Sequence, residues 1–437
     1  MIGNLQRANK KLGKHCKVLM DLAGPKLRTG PIGHGFRVVR WRVARDSRGR
    51  VETPTRIAFA PRKARLRAPP VADLVLPAPE RLLHAAKPGD HIRLKDSRDK
   101  NRDLQIASND GTVCLCLCQQ GAYVLSGAEM TLVRGERVIA RGRLGTLPVI
   151  EEPIHLAVKD LLIVTNGEPP ASRSHEKIPK VSCTLPEAFA AAKAGESIFF
   201  DDGKIEGVIR EAHPDHMPVE ITHTAPGGAK LGSAKGINLP ATALDIPAMT
   251  SKDSQDLDFI AQHADLVGLS FVRRPEDVIN LQQELAKRGQ SRLGIILKIE
   301  SRQAFDQLPL IMIAALRHHP VGIMVARGDL AVEIGFERLA EVQEEILWLS
   351  EAAHIPVIWA TQVLETLAKT GMPSRAEVTD AAMGGRAECV MLNKGEHVVE
   401  AVRFLDNVLH RMQAHQSKKR SMLRRLAVAQ VNHAAVH

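Results

Sequence analysis

Aromatic residues are scarce in this chain: 3 Trp, 1 Tyr and 10 Phe among 437 residues, or 3%. A core must therefore be built from Leu, Ile, Val, Ala and Met, within a hydrophobic fraction of 44%. No run approaches the roughly 18 apolar residues that cross a bilayer. The basic start, MIGNLQRANKKLGKH, also lacks the apolar stretch of a signal peptide. No membrane partner is expected, and a cytoplasmic location is. Zinc-finger spacing is missing, as is the alternation of basic and aromatic residues that marks a single-strand platform, so no nucleic-acid partner is expected either. Cysteine is limited to six. Cys114, Cys116 and Cys118 alternate in VCLCLC and so share one face of a strand. They read as small buried residues, with no zinc spacing and no disulfide framework.

The length allows two or three domains. The net charge of +11 suits an anionic partner, and a small phosphorylated metabolite is one such partner. Residues 14–22, KHCKVLMDL, read as a buried strand that runs into the turn AGPKLRTG. Residues 31–195 have another texture, with Arg- and Pro-rich β-like runs such as FRVVRWRVA and DHIRLKD. One short helix is expected there, near Leu185–Ala194. After residue 240 apolar strands alternate with helices: DLVGLSFV, LGIILKIE, VGIMVARGD, PVIWATQ and CVMLNKGE are the strand candidates. Such alternation implies a parallel sheet. The fold class expected is α/β, an incomplete (β/α)8 TIM-type barrel of about six βα units with an inserted β-rich lid domain. Residues 1–30 and 196–412 supply the barrel, 31–195 the insert, and 413–437 a basic, helix-like, solvated tail.

Chemistry gathers where these strands end. Lys298 and Glu300 in LKIE are two apart on a strand and point to one side. They read equally as a metal carboxylate beside an oxyanion-steadying lysine or as an ordinary ion pair. In VGIMVARGDLAVEIG, Ala326, Arg327, Gly328 and Asp329 lie between a strand and a helix. Gly328 permits close approach to a ligand, and free N–H groups at the helix start attract anions. Asp329 could bind a divalent ion or merely cap the helix. Thr361 ends IWATQ, and Ser270 holds a similar place in DLVGLSFVRR. Asp21 and Arg28 precede the insert, and Lys235 and Asn238 follow it. Arg28 and Lys235 would offer positive charge to a polyphosphate.

Taken in order, MDLAGPKLRTG, IFFDDGKIEGVI, KGINLP, LSFVRRPEDV, ILKIES, GIMVARGDLAVEIG, PVIWATQVLETL and PSRAEVTDAA resemble the pyruvate kinase family. The likeness covers residues 14–30 and about 196–410. It implies transfer of a phosphoryl group from phosphoenolpyruvate to ADP, giving pyruvate and ATP in glycolysis. It further implies that Glu300 and Asp329 bind Mg²⁺ or Mn²⁺, and that Asp21 with the carbonyl of Leu22 belongs to a K⁺ site. Lys298 would stabilise the enolate, Thr361 would position the proton, and Arg28 would assist as a catalytic cation. Ser270, Ala326, Arg327, Gly328 and Asp329 would surround the substrate, and Arg28, Lys235 and Asn238 the nucleotide. A homo-oligomer is expected if the protein is intact.

The sequence departs from the family in three respects. The T-I-G-P-like and R-x-N-x-S-H segments that precede the third strand do not occur, which removes two K⁺ ligands and a phosphate-binding Arg. The expected consequence is a barrel short of two strands, poorly stable alone, from a start inside a longer gene. The last strand reads Met391-Leu392-Asn393-Lys394-Gly395-Glu396-His397 in place of M-L-S-G-E-T-A. The C-terminal regulatory domain is also missing, so allosteric control there is not expected. Two other readings stay open: a metal-dependent barrel lyase acting on pyruvate or phosphoenolpyruvate, and a non-catalytic kinase-derived fragment.

Overall fold

The computed structural model describes residues 1–32, 35–61, 72–167, 178–317, 320–417 and 420–421. The described residues of Met1–Pro31, His155–Pro170 and Lys177–His437 form one compact unit, and those of Ile32–Ile154 another.

The first unit is organised by six parallel strands: β1 (Leu19–Leu22), β2 (Leu266–Leu269), β3 (Gly294–Ile299), β4 (Val321–Ala326), β5 (Val357–Val363) and β6 (Cys389–Leu392). They lie side by side in chain order, the arrangement of a curled partial (β/α) barrel. Among the described residues β1 and β6 each have one strand neighbour, so the sheet is open at both edges. The expected α/β class and the six βα units are thus present. Helices Ser251–His263, Pro275–Lys287, Leu308–Ala315, Leu339–Ala352 and Arg375–Met383 occupy the connections, and Val398–Met412 follows β6.

Strand alternation sorts the side chains. On β3, Ile295, Leu297 and Ile299 join the large cluster shared with the helices, whereas Ile296 joins Met324 and Ala360 in a small separate cluster. Lys298 lies on the face of Ile296, because side chains two apart on a strand point the same way. The same parity puts Met324 and Ala326 together on β4. Parallel strands run in one direction, so their carboxyl ends form a single rim.

The same unit also holds a mixed six-stranded sheet in the order Lys180–Cys183, Leu161–Asn166, His216–Thr224, Ile205–Ile209, Ser197–Phe200, Ile237–Asn238. The second unit has a seven-stranded sheet of its own, from Arg137–Arg143 at one edge to Leu74–Ala78 at the other. Its core includes Trp41, Phe59 and Leu104, and the three cysteines Cys114, Cys116 and Cys118 are completely buried in it.

Several elements differ from expectation. The strand anticipated over 14–22 begins only at Leu19, because the residues at 14–17 are exposed and carry two Lys and one His. The helix near Leu185–Ala194 is confined to Glu187–Ala191, and an unexpected short helix spans Glu80–Ala85. The helical stretch after β4 breaks at Gly335, where φ is 89°, into Arg327–Ile334 and Leu339–Ala352. The start of the tail forms a short strand pair, Gln416–Ser417 with Arg420–Ser421, in place of a helix. Residues 422–437 of the tail lie outside the described residues. Among the described residues no helix is long and apolar enough to cross a membrane.

One buried cluster makes the second unit acid-sensitive. Burial pushes the Asp96 carboxyl up, but hydrogen bonds from Arg98 and Arg102 outweigh it and hold the group well below its ordinary 3.8. A carboxyl lowered in the folded state adds stability that is complete above the unfolded value and is lost as acid protonates the folded form. In a Trp348→Phe/Trp359→Phe background, fluorescence of buried Trp41 should report loss of stability below about pH 4. Asp96→Asn should flatten that dependence and lower stability at neutral pH by roughly 3 kcal/mol, since Arg102 is left buried without its partner.

Candidate active site at the carboxyl rim of the sheet

Lys298 on β3 is the centre of the rim. Its ammonium donates to the Ser270 hydroxyl at 2.9 Å and stands 3.2 Å from both Asp21 Oδ2 and Glu300 Oε1. Thus β1 brings Asp21 to it, and Ser270 and Glu300 follow directly after β2 and β3. Asp21 fits because its neighbour in register is Gly268, where a Cβ would lie 2.1 Å from Asp21 Oδ1. Leu22, also on β1, is buried.

Glu300 is buried as well, and its second oxygen accepts the Phe271 amide at 2.7 Å. Phe271 reaches that position with φ at 52°, a costly conformation for a side chain with a Cβ. Burial raises the Glu300 pKa, with the charge of Asp329 adding to the shift, while Lys298 and the Phe271 amide act against it. For Lys298 burial acts downward, but the charges of Glu300 and Asp21 prevail, and its pKa ends above the ordinary lysine value. The lysine is thus held as a cation against its own burial.

Asp329 lies in the first turn of the helix Arg327–Ile334, after β4. Both of its oxygens accept from Lys26, at 2.9 and 3.0 Å. The Lys26 ammonium also sits 5.7 Å from the centre of the Phe271 ring. Three carboxylates (Asp21, Glu300 and Asp329) therefore face two ammonium groups, an excess of one negative charge. Lys26 was passed over in the sequence. The signal available was a lysine inside a Gly-Pro turn between two candidate residues, Asp21 and Arg28. That turn is anchored by buried Asp253, which accepts from the Ala23 and Gly24 amides while capping the helix Ser251–His263.

Thr361 on β5 is held in a left-handed conformation, φ 65°, and Gln362 follows at 59°. For a β-branched residue this is a real outlier, the kind that persists only where surroundings over-determine it. The surroundings here are plain. The Thr361 hydroxyl accepts the Gly328 amide at 2.9 Å. Arg327 donates to the carbonyls of Ala360 and Thr361, at 2.8 and 2.5 Å, and pairs with Asp380 from the helix Arg375–Met383. Its guanidinium lies 4.7 Å from the Trp359 ring centre, and the Trp359 indole donates to Asp380 at 3.3 Å. The Arg327 side chain is thus spent on fixing the end of β5. Asp380 is a second residue that sequence reasoning missed, because nothing in PSRAEVTDAA distinguishes a clamp from a helical surface acid.

An open cleft of about 570 Å³ adjoins this rim, lined by Lys26, Arg327, Asp329, Thr361, Asp380 and Asn393 among others. That volume suits a small metabolite. The remaining candidates lie on the paired segments around Arg28 and Gly236. Arg28 donates to the Ala234 carbonyl at 2.9 Å and stays exposed. Lys235 reaches Asp201 at 2.9 Å. Asn238 is buried and donates to Glu333 at 2.9 Å, so its amide supports a buried carboxylate. Burial raises the Glu333 pKa, against Asn238 and nearby Arg273.

Among the described residues no group of three or more His, Cys, Asp or Glu side chains could hold a metal alone. The donor set at the rim is two carboxylates, Glu300 and Asp329, in a site of net negative charge. That suits a hard divalent ion of the Mg²⁺ type, which keeps waters and binds through one or two carboxylates plus substrate oxygens.

A parallel sheet of βα units with a lysine–carboxylate cluster at its carboxyl rim defines the class: a (β/α)-barrel protein. The pyruvate kinase barrel-domain model matches residues 140–402. The chain belongs to the pyruvate kinase family. It is 38% identical over 215 residues to pyruvate kinase PKLR of Rattus norvegicus, covering 48% of this chain and 36% of that protein. Pyruvate kinase of Bacillus licheniformis is 33% identical over 239 residues, 53% of this chain and 40% of that protein. For pyruvate kinase of Thermotoga maritima the figures are 35% over 235 residues, 52% and 48%. The match spans less than half the length of each of these three relatives.

The Arg327 clamp can be tested directly. Asp380→Asn should lower stability by roughly 2 kcal/mol, less than for a fully buried pair because Asp380 is 28% exposed. Denaturant midpoints measure that loss. A shifted Trp359 emission should accompany it, and an unchanged emission would show that the clamp does not hold β5.

Proposed function

We propose that this chain is a pyruvate kinase-type phosphotransferase, moving the phosphoryl group of phosphoenolpyruvate to ADP. The observation that supports this most is Lys298 bonded to Ser270, Asp21 and Glu300 at one rim of a pyruvate kinase-family barrel. Reaction in this direction leaves enolpyruvate as an enolate, which must be stabilised until carbon is protonated. A cation fixed by two carboxylates in a buried setting is suited to that task, since charge stabilisation strengthens where water is excluded.

The P–O bond to the enol oxygen breaks as a bond forms to the terminal phosphate oxygen of ADP. Lys298 faces the developing charge on the enol oxygen. The free main-chain amides at the start of the helix Arg327–Ile334, those of Arg327 and Asp329, face the substrate carboxylate, the Gly328 amide being given to Thr361, and Ser270 lies beside the phosphoryl group. Thr361 orients the proton donor for carbon. Its hydroxyl accepts from Gly328, so its own O–H points elsewhere. Arg28 and Lys235 meet the nucleotide phosphates, while Asn238 acts through Glu333. Glu300 and Asp329 would hold Mg²⁺ or Mn²⁺, which when bound neutralises phosphoryl and enolate oxygens. Asp21 and the Leu22 carbonyl would serve K⁺. The location consistent with this role is the cytoplasm, and a homo-oligomer is the expected assembly.

Pyruvate formation from phosphoenolpyruvate and ADP should require a divalent ion. Lys298→Met should lower kcat by at least about a hundredfold. Asp329→Asn should raise the Mg²⁺ concentration needed for half-activation. Full activity in Lys298→Met, or none in the unaltered protein with Mg²⁺ and K⁺, would refute the assignment.

A further inference from the structure

The charge of this protein is unevenly divided. Residues 32–154 hold 22 Lys and Arg against 13 Asp and Glu, a net +9, and 18 of those cations are Arg. Residues 155–412 hold 26 against 35, a net −9. The basic stretch corresponds to the second compact unit, and residues 32–139 of it lie outside the family match. Barrel chemistry therefore does not account for it.

Within this unit five acids, Asp73, Asp90, Asp96, Asp103 and Glu129, are held in internal ion pairs. Asp96 is bound by Arg98 and Arg102, Asp90 by Arg134, and Asp73 by Arg56. By contrast, Arg40, Arg42, Arg45, Arg48 and Arg50 are all exposed, and among the described residues none of them meets a carboxylate. Three of the five are on one hairpin. Ala44–Arg45 pairs antiparallel with Val51–Thr53, and Arg48 and Arg50 lie in the turn. Half-buried Asp46 accepts the Arg48 and Arg50 amides at 2.9 and 2.8 Å and so shapes the tip, and the exposed acid Glu52 lies on the returning strand of the hairpin.

Just before the hairpin in the chain, Val38–Trp41 pairs with Ala122–Leu125, which sets Tyr123 opposite Arg40. Tyr123 is the one tyrosine of the chain. The guanidinium groups of Arg40 and Arg98 each lie 5.0 Å from its ring centre. The half-buried ring thus backs two exposed guanidinium planes, and such planes both stack on bases and bind phosphate in two-point fashion.

We infer that the unit of residues 32–154 binds single-stranded nucleic acid. The arginine hairpin takes the phosphates, and the Arg40–Tyr123–Arg98 stack takes a base. Phosphate alone would need no aromatic platform, and a duplex would keep its bases unavailable for stacking. This departs from the expectation drawn from the whole sequence, where Arg40 and Tyr123 are 83 residues apart and no interleaving is visible.

The test uses the full chain and a fluorescein-labelled 15-nucleotide U oligomer, with anisotropy recorded across a salt series. Binding should weaken with salt. The triple variant Arg45→Ala/Arg48→Ala/Arg50→Ala should lose at least tenfold in affinity and reduce the log–log salt slope by about 2, at roughly 0.7 per lost phosphate contact. Tyr123→Ala should lose at least about fivefold with the slope unchanged. Circular dichroism and Trp41 emission check that both variants fold. The inference is overturned by equal binding of inorganic polyphosphate or phosphatidylglycerol vesicles, by preference for the matching duplex, or by a slope that the triple variant leaves unaltered.

Discussion

The ammonium of Lys298 ties together the ends of three strands, and the site depends on that one contact set. A buried carboxylate such as Glu300 is stable only with a partner. Lys298 supplies it, and in turn stays charged against burial because Asp21 and Glu300 both face it. Gly268 makes the arrangement sterically possible by leaving room for the Asp21 side chain. A change at any of these positions would leave an uncompensated charge at the rim.

On the neighbouring strands geometry is maintained by strain. Phe271 and Thr361 both have positive φ, and each offers a group to its neighbour: an amide to Glu300 and a hydroxyl to Gly328. The Arg327–Asp380 pair with Trp359 stabilises the second of these. Conformations that cost of order 1 kcal/mol or more each are retained here because the packing around them is fixed by strong charged contacts. Rigid placement of this kind is what transfer chemistry requires, since most of its barrier reduction comes from positioning and charge.

The molecule also separates two kinds of electrostatics. In the barrel unit the charged groups at the rim are mutually paired and local. In the unit of residues 32–154 the arginines outnumber the acids, and Arg40, Arg42, Arg45, Arg48 and Arg50 remain exposed. A single net charge of +11 conceals this division, which is why whole-chain composition pointed to an anionic partner without pointing to a surface.

The order of apolar strands after residue 240, and the parity of Lys298 and Glu300, were legible because both follow from periodicity along a single strand. Families of short motifs gave the rim residues for the same reason: each is local. The strand expected at residues 14–22 shrank because hydrophobic and charged positions within it had to be reconciled with exposure. Asp380 and the Arg40–Tyr123 contact were invisible, since each partner lies tens of residues away, and Lys26, although its turn was recognisable, meets an acid 303 residues off. By itself the sequence determined which strands and helices form and which faces they bury, through local periodicity and propensity. Only the tertiary structure decided which charges meet, because ion pairing depends on distances of a few ångströms between segments that the chain order leaves unspecified.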